Sequence, residues 1–308
     1  MGRRILMILA VLVIVFGGAF WWFMLSGKAP KEAPGVFDIA EWRSLLAEDA
    51  GAGPDVVRWL EVGNDMAPSW AVQAGRFSGA VPMSYNAIQL SWPDRSILVG
   101  GAVDAETAEE MRQTPEAGFD AAAYETLLAA MLEAEQVLIT HEHLDHVMAI
   151  ARHPEPARLA PNLVLNAAQL EALPVFARDG ALAPEIASVM PAELSAPTRV
   201  APGIVVAPAS GHTAGSQVVF IQRADGEEYL LIGDIVWNAN NIDDLKPRPR
   251  LTQIVVFDPN EDRAAIDRQI RALHDLKLSE PDLSIVPAHD RIYLQQLVAD
   301  GLLAAGWE

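Results

Sequence analysis

Three histidines and an aspartate fall within six consecutive positions in Thr140-His141-Glu142-His143-Leu144-Asp145-His146. The run follows Val137-Leu138-Ile139, an apolar stretch that reads as a buried strand. Imidazole nitrogens and carboxylate oxygens are the donors a zinc-like divalent cation prefers, and at a strand end four of them can face one cavity. His141, His143 and His146 would not share one face of a helix, so the run is expected to be a loop. A chain organised around it needs a sheet whose strands bring their ends to one edge.

Three later segments repeat the arrangement. Ser210-Gly211-His212-Thr213-Ala214-Gly215-Ser216 is a small-residue turn before the strand-like run Val218 to Gln222. Tyr229-Leu230-Leu231-Ile232 ends in Gly233-Asp234, and Leu283-Ser284-Ile285-Val286 ends in Pro287-Ala288-His289. Each candidate donor thus sits in a turn beside an apolar strand.

The ordered set, His-x-His-x-Asp-His, then Gly-His-Thr, Gly-Asp and a late Pro-x-His, resembles the metallo-β-lactamase-fold hydrolase superfamily over roughly residues 71 to 308. The resemblance implies an α+β protein, an αββα sandwich of two mixed sheets face to face with helices outside and metals at one edge. Alternating strand and helix signals also suit a doubly wound sheet, but the ligand order favours the sandwich. The resemblance further implies one ion on His141, His143 and His212, a second on Asp145, His146 and His289, and Asp234 bridging both. Two divalent ions about 4 Å apart share a water and bring its pKa near neutrality. Zinc is the expected metal, and iron or manganese suits the same donors. Asp145 would then also be catalytic, orienting the bridging hydroxide or moving a proton to the leaving group. Thr213 reads either as a donor to a ligand or as a turn-stabilising hydroxyl. His153 and His274 match no part of the pattern and are expected at the surface.

The chain departs from the family pattern at three places. Many members have Asp-Thr-Gly after the early strand, where this chain has Gly100-Gly101, and Asp104 is the carboxylate available to substitute. Members with glyoxalase-II-like or lactonase-like activity often have His where Ser216 stands. The lactonase-like branch commonly has Tyr where Trp237 stands, and an indole cannot supply a phenol.

Residues Ile5 to Leu25 are uncharged and include Phe20, Trp21, Trp22 and Phe23. About 20 apolar residues span a bilayer core, and the aromatic cluster suits one interface. A cleaved signal peptide would have a shorter apolar region ending at a small-residue site, and none follows Leu25. The expectation is a single-pass signal anchor over residues 1–25 in the cell membrane, with the catalytic body periplasmic or extracellular.

Composition narrows the rest. There are no cysteines, which excludes disulfides, thiol catalysis and cysteine-ligated zinc. A net charge of −19 argues against a nucleic-acid partner, because phosphate binding relies on clustered Lys and Arg. Ser26 to Gly35 reads as a linker (residues 26–35) lifting the body off the membrane, and residues 36–70 as a small extension. Within that extension Asp38 is expected to cap a helix reaching about Glu48, and Pro54 to Val62 to be helical. The remainder, residues 71–308, is expected to be the metallo-β-lactamase-like domain. It should hold strands at Ala71–Ala74, Tyr85–Trp92, Ser96–Val99 and Asn162–Asn166, with a helix over Asp120–Ala134. Asp258 or Asn260 should open a helix through Leu276, and Ile292 to Ala305 should form the last one. Residues 174 to 203 form a long Pro- and Ala-rich insertion, a candidate wall for the substrate pocket. Lys246, Arg248 and Arg250 read as a solvated loop, or as contacts to an anionic group on a small substrate.

These features predict a membrane-anchored binuclear metal-dependent hydrolase of a small ester, lactone or amide. The alternatives are a β-lactamase, a mononuclear iron sulfur dioxygenase, or a membrane-tethered scaffold or binding protein in which metal only holds the loops together.

Overall fold

The structure is a computed structural model that describes residues 2–49, 51–256 and 261–307. Two sheets account for the strands among the described residues. The first contains β1 (Val56–Pro68), β2 (Ala80–Ser91), β3 (Ser96–Val99), β4 (Gly118–Phe119), β5 (Gln136–Leu138) and β11 (Ala304–Ala305). Its order is β11-β1-β2-β3-β5, with β4 paired to β1. The second contains β6 (Thr198–Ala201), β7 (Ile204–Pro208), β8 (Gln217–Gln222), β9 (Glu228–Gly233) and β10 (Leu283–Pro287), in the order β10-β9-β8-β7-β6. Both sheets are mixed: β3 and β5 run parallel, as do β9 and β10, among antiparallel neighbours.

The sheets stack face to face because each strand is apolar on both faces. In β8, Val219 and Ile221 join Val57, Trp59, Ile88 and Leu90 of the opposite sheet in a buried layer between the sheets. The alternate residues Val218 and Phe220 pack outward with Ile266, Ile270 and Leu273 of the helix Arg263–Ser279. The first sheet does the same, burying Leu60, Val62 and Leu98 against Leu127 and Met131 of the helix Ala121–Glu133. Helix, sheet, sheet, helix is therefore the layer order, and the continuous apolar runs are the signature of strands covered on both sides. Each fully buried aliphatic or Phe side chain in these layers contributes roughly 1.5–3 kcal/mol.

Several local expectations are corrected. Residues 54–62 are not helical: Val56–Pro68 is the long strand β1, whose partners on β2 and β11 need its alternating apolar face, so the sheet draws on residues before 71. Ala71 lies in the short helix Ser69–Val72 rather than a strand. Residues 162–166 contribute only a single bridge, Val137 to Leu163. The last helix is Arg291–Ala299 and ends before β11. The expected starts at Asp258 and Asn260 lie outside the described residues; the helix there is capped by Asp262, which accepts from Ala264 and Ala265 backbone amides. The Asp38 cap is present, accepting from Glu41, on a helix that runs Ile39–Leu45.

The apolar N-terminal segment is helical from Gly2 to Phe20 and continues as a π-helix over Trp21–Leu25. None of the residues Arg3–Leu25 is buried. The stretch after it does not lift away from the body. Ser26 and Ala29 are buried, Arg263 donates to Ser26 O at 3.0 Å, Ala29 N donates to Leu245 O at 3.3 Å, and Arg271 donates to Pro30 O at 3.0 Å. Backbone carbonyls in this stretch are hydrogen-bond acceptors, and the arginines of the helix Arg263–Ser279 satisfy them.

Candidate metal centre

The strand ends meet at one edge. The chain leaves β5 at Leu138 and passes directly to His141, while β9 ends at Gly233 before Asp234 and β10 at Pro287 before His289. Gly233 has φ +53°, and a Cβ there would lie 2.8 Å from Thr140 Cβ and Oγ1, so the β9 end can approach the His141 turn only with glycine. Gly101 plays the equivalent part on the other side: its amide donates to His146 O at 2.7 Å, and a Cβ would sit 2.7 Å from the same oxygen. The Gly100-Gly101 departure thus seats the helix Leu144–Ala151 against the first sheet. That helix also corrects the loop expectation, because His143 is its N-cap and Asp145 and His146 lie in its first turn. An acidic side chain there is favoured by the helix N-terminus.

Seven side chains converge in two groups. His141, His143 and His212 form one, and Asp145, His146, Asp234 and His289 the other; within each, the donor atoms lie within 4.8 Å of one another. Asp234 stands between them. Its Oδ2 is 3.8 Å from His141 Nε2 and 3.7 Å from His212 Nε2, while its Oδ1 is 3.5 Å from His146 Nε2 and 3.0 Å from His289 Nε2. Asp145 Oδ2 lies 3.2 Å from His289 Nε2.

The chemistry of this set fits divalent cations. His141 Nε2 is buried and has no hydrogen-bond partner among the described residues, a costly state for a polar atom unless something else satisfies it. His289 gives Nδ1 to Ser84 O at 2.7 Å, which turns Nε2 inward. Burial opposes charge on His289, but Asp234 and Asp145 outweigh it and hold the imidazole well above its ordinary value. A positive charge is thus favoured at the place where a cation would replace that proton. Burial and then His146 push His141 well below its ordinary value, and burial and then His212 bring His143 down to about 4, so both are neutral donors at pH 7. Burial would raise Asp234, but His289 and His141 hold it well below the usual carboxylate range. Asp145 is likewise held at about 2 against burial by His146 and His289.

Around the seven residues lies a set of braces, most of which the sequence did not reveal. His212 Nδ1 lies 2.8 Å from Glu261 Oε1, and Arg248 binds the same oxygen at 2.7 Å while donating to Asp234 O at 2.8 Å. Arg248 is 4% exposed, so it is neither a solvated loop residue nor available to substrate. Burial raises Glu261, but Arg248 and His212 bring it down to about 2, so it is a carboxylate paired to the guanidinium. No spacing rule marks Glu261, which approaches the other elements only through the fold. Trp237 donates its indole N–H to Asp234 Oδ2 at 2.7 Å. Thr213 does not touch a ligand: with Gly215 N it holds Glu142, each bond 2.8 Å, and so stiffens the turn that carries His212.

Other expectations are corrected. Asp104 does not replace the missing early carboxylate; it caps the helix Ala105–Met111 and pairs with Arg152 at 2.9 Å. The contact to His141 Nδ1 comes from the Thr140 hydroxyl at 3.2 Å. Ser216 hydrogen-bonds Thr213 and lies in neither donor group. His153 is buried rather than at the surface, between Leu128 O and Glu155 N, and half-buried His274 meets Ile242 O.

Two cavities flank the centre. One, of about 270 Å³, is lined by Met66, Met83, Met111, Tyr85, Trp237 and Val256, with His143, Asp145 and His289 in its wall. Burial and Asp145 push the Tyr85 phenol up, so it stays protonated and can donate. The other, of about 640 Å³, lies beside His143 and His212 and takes Val175 and Phe176 from the long insertion.

No protein-family model matches the sequence, and no curated protein matches it. Solved structures share the fold. An N-acyl homoserine lactone hydrolase, solved with N-hexanoyl-L-homoserine bound at its catalytic metal centre, is 15% identical with a TM-score of 0.55, covering 79% of this chain and 96% of its own. A B. thuringiensis protein, solved as a mutant with N-decanoyl-L-homoserine bound at the active site, is 15% identical with a TM-score of 0.57, covering 79% and 96%. A probable metal-dependent hydrolase from Staphylococcus aureus is 12% identical with a TM-score of 0.55, covering 77% and 90%.

Proposed function

We propose that this chain, which carries the metallo-β-lactamase fold, is a membrane-anchored hydrolase that uses two divalent metal ions, zinc by preference, to cleave a small ester, lactone or amide. The observation that carries the reading is Asp234, with one oxygen facing each of two donor groups. On this reading His141, His143 and His212 hold one ion, Asp145, His146 and His289 hold the other, and Asp234 is shared. Bound there, the ions supply an activated nucleophile at neutral pH and polarise the substrate carbonyl.

The chain's own residues do the rest. Asp145, in the wall of the 270 Å³ cavity and ionised at neutral pH, accepts a hydrogen bond from the attacking oxygen and passes that proton on to the leaving group. Tyr85 donates from the same wall. Apolar Met66, Met83, Met111 and Val256 exclude water and favour a substrate with an aliphatic part. The solved structures of the same fold that hold an acyl-homoserine at the metal centre or active site support a carbonyl substrate of this kind.

The helix Arg3–Leu25 is read as a single transmembrane anchor with the body outside the cytoplasm. Support for its retention comes from the contacts that stitch its end to the body: Arg250 lies 4.1 Å over the Trp22 ring and donates to Ser26 Oγ at 3.2 Å. The test is elemental analysis of the full chain in detergent, with chromogenic ester, lactone, β-lactam and phosphodiester substrates. About two metals per chain, and turnover lost on chelation, is the expected outcome. One iron with oxygen uptake on a persulfide would replace the hydrolase by a dioxygenase.

A further inference from the structure

We propose that the face around the helix Arg250–Val256 rests on the bilayer and that the 270 Å³ cavity opens onto it, so that the substrate is a single-chain amphiphile drawn from the lipid. The inference rests on the anchored-hydrolase reading and names where its substrate comes from.

The span ends on the body rather than on a tether. Phe20 stacks on Phe77 with ring centroids 5.6 Å apart, Gly75 N donates to Met24 O at 3.1 Å, and Arg250 covers Trp22. The surface beside that junction is therefore held at the membrane interface. It is also apolar where a soluble surface would not be: Phe77 is 52% exposed, Ile254 52%, Val255 71% and Val256 56%. Phe77 stacks on Phe20 and the helix Arg250–Val256 packs against Trp21–Leu25, so these exposed apolar side chains belong to the elements that meet the end of the span. Arg76, exposed next to Phe77, is placed to meet lipid phosphate.

Val256 joins the two observations. It is exposed on this face and also lines the cavity that holds Asp145 and His289. A chain entering past Val256 would pass from lipid to Met-lined wall without crossing water. The cavity is slightly smaller than the range of about 300–1,000 Å³ usual for small-molecule sites. It holds a reacting carbonyl and the first part of one chain, and the remainder of the chain stays in the bilayer.

The absence of cysteine makes a site-specific probe straightforward. The full chain carrying Val255→Cys, labelled with an environment-sensitive fluorophore, is placed in phosphatidylcholine vesicles containing spin-labelled lipid; Met190→Cys, at a position 82% exposed, is the control. Quenching and a blue shift at 255 but not at 190 are expected. Quenching at neither, or equally at both, overturns the bilayer contact. The second arm compares acetyl and dodecanoyl esters of one chromogenic alcohol in vesicles. Val255→Glu should lose the dodecanoyl activity and keep the acetyl activity; retention of both overturns the lipid route. If the wild-type chain cleaves neither ester, the ester form of the hydrolase reading and the lipid-borne ester fail together, and the quenching still decides the bilayer contact.

Discussion

The Trp237 indole donates a 2.7 Å hydrogen bond to Asp234 Oδ2, the oxygen that faces His141 and His212. Arg248 closes the other end, binding Asp234 through its backbone oxygen and stacking 5.2 Å from the Trp237 ring. Asp234 is therefore held by two residues outside the donor set, its carboxylate by the indole and its backbone oxygen by the guanidinium. Trp237→Phe keeps an aromatic ring at this partly exposed position while removing the N–H together with the pyrrole half of the indole. Outer hydrogen bonds to metal ligands are typically worth about 10–100-fold in affinity or activity. Metal titration and turnover should both fall by that order, with the thermal midpoint little changed; unaltered metal affinity would deny the indole this role.

Asp145→Asn keeps the side chain's size while removing its charge and basicity. A general acid–base group contributes roughly 10²–10⁴-fold, and turnover per bound metal, with metal content measured alongside because Asp145 is also a donor to the second ion, should drop by that order while circular dichroism is unchanged. His141→Ala should instead remove metal outright, measured by elemental analysis. A fully active Asp145→Asn would leave the proposed proton uptake without its residue.

Arg248 and Glu261 are 4% and 9% exposed and 2.7 Å apart. Breaking a buried pair by deleting one partner costs about 3–5 kcal/mol, because the remaining charge is stranded. Arg248→Met should lower the urea midpoint accordingly, and the double variant Arg248→Met with Glu261→Gln should recover part of the loss.

Asp104 is held below its ordinary value of 3.8: burial opposes its charge, but hydrogen bonds from Thr107 and the Arg152 guanidinium outweigh burial. A depressed carboxylate adds stability that is complete above the unfolded value and is lost as pH falls through the folded one. Wild type should therefore lose stability on acidification below 3.8 relative to Asp104→Asn, with the two urea-unfolding curves converging toward lower pH. A difference independent of pH in that window would exclude this linkage.

Much of the site was legible because its donors are chemically conspicuous and follow apolar runs. His141, His143, Asp145, His146, His212, Asp234 and His289 were all named from short motifs, and the fold brings all seven together. The two-sheet architecture was legible through the resemblance that those motifs carry. Local pattern was weaker. Residues 54–62 have a helix-like start at Pro54, yet become β1 because pairing with β2 decides the matter. His153 looked like a surface residue and is buried, held between the nearby Glu155 N and Leu128 O, the second of which only the fold brings beside it.

Sequence by itself determined the donor types, their order, the exclusion of thiol ligands and an apolar helix long enough to span a bilayer, because these depend on residue chemistry and short-range spacing. Tertiary structure alone decided that Asp234 offers one oxygen to each donor group, that Arg248 and Glu261 are a buried brace, that Trp237 binds Asp234, and that the stretch after Leu25 is bonded to the body. Those relationships join residues up to 241 positions apart, and their energies depend on burial and distance, which exist only once the sheets have packed.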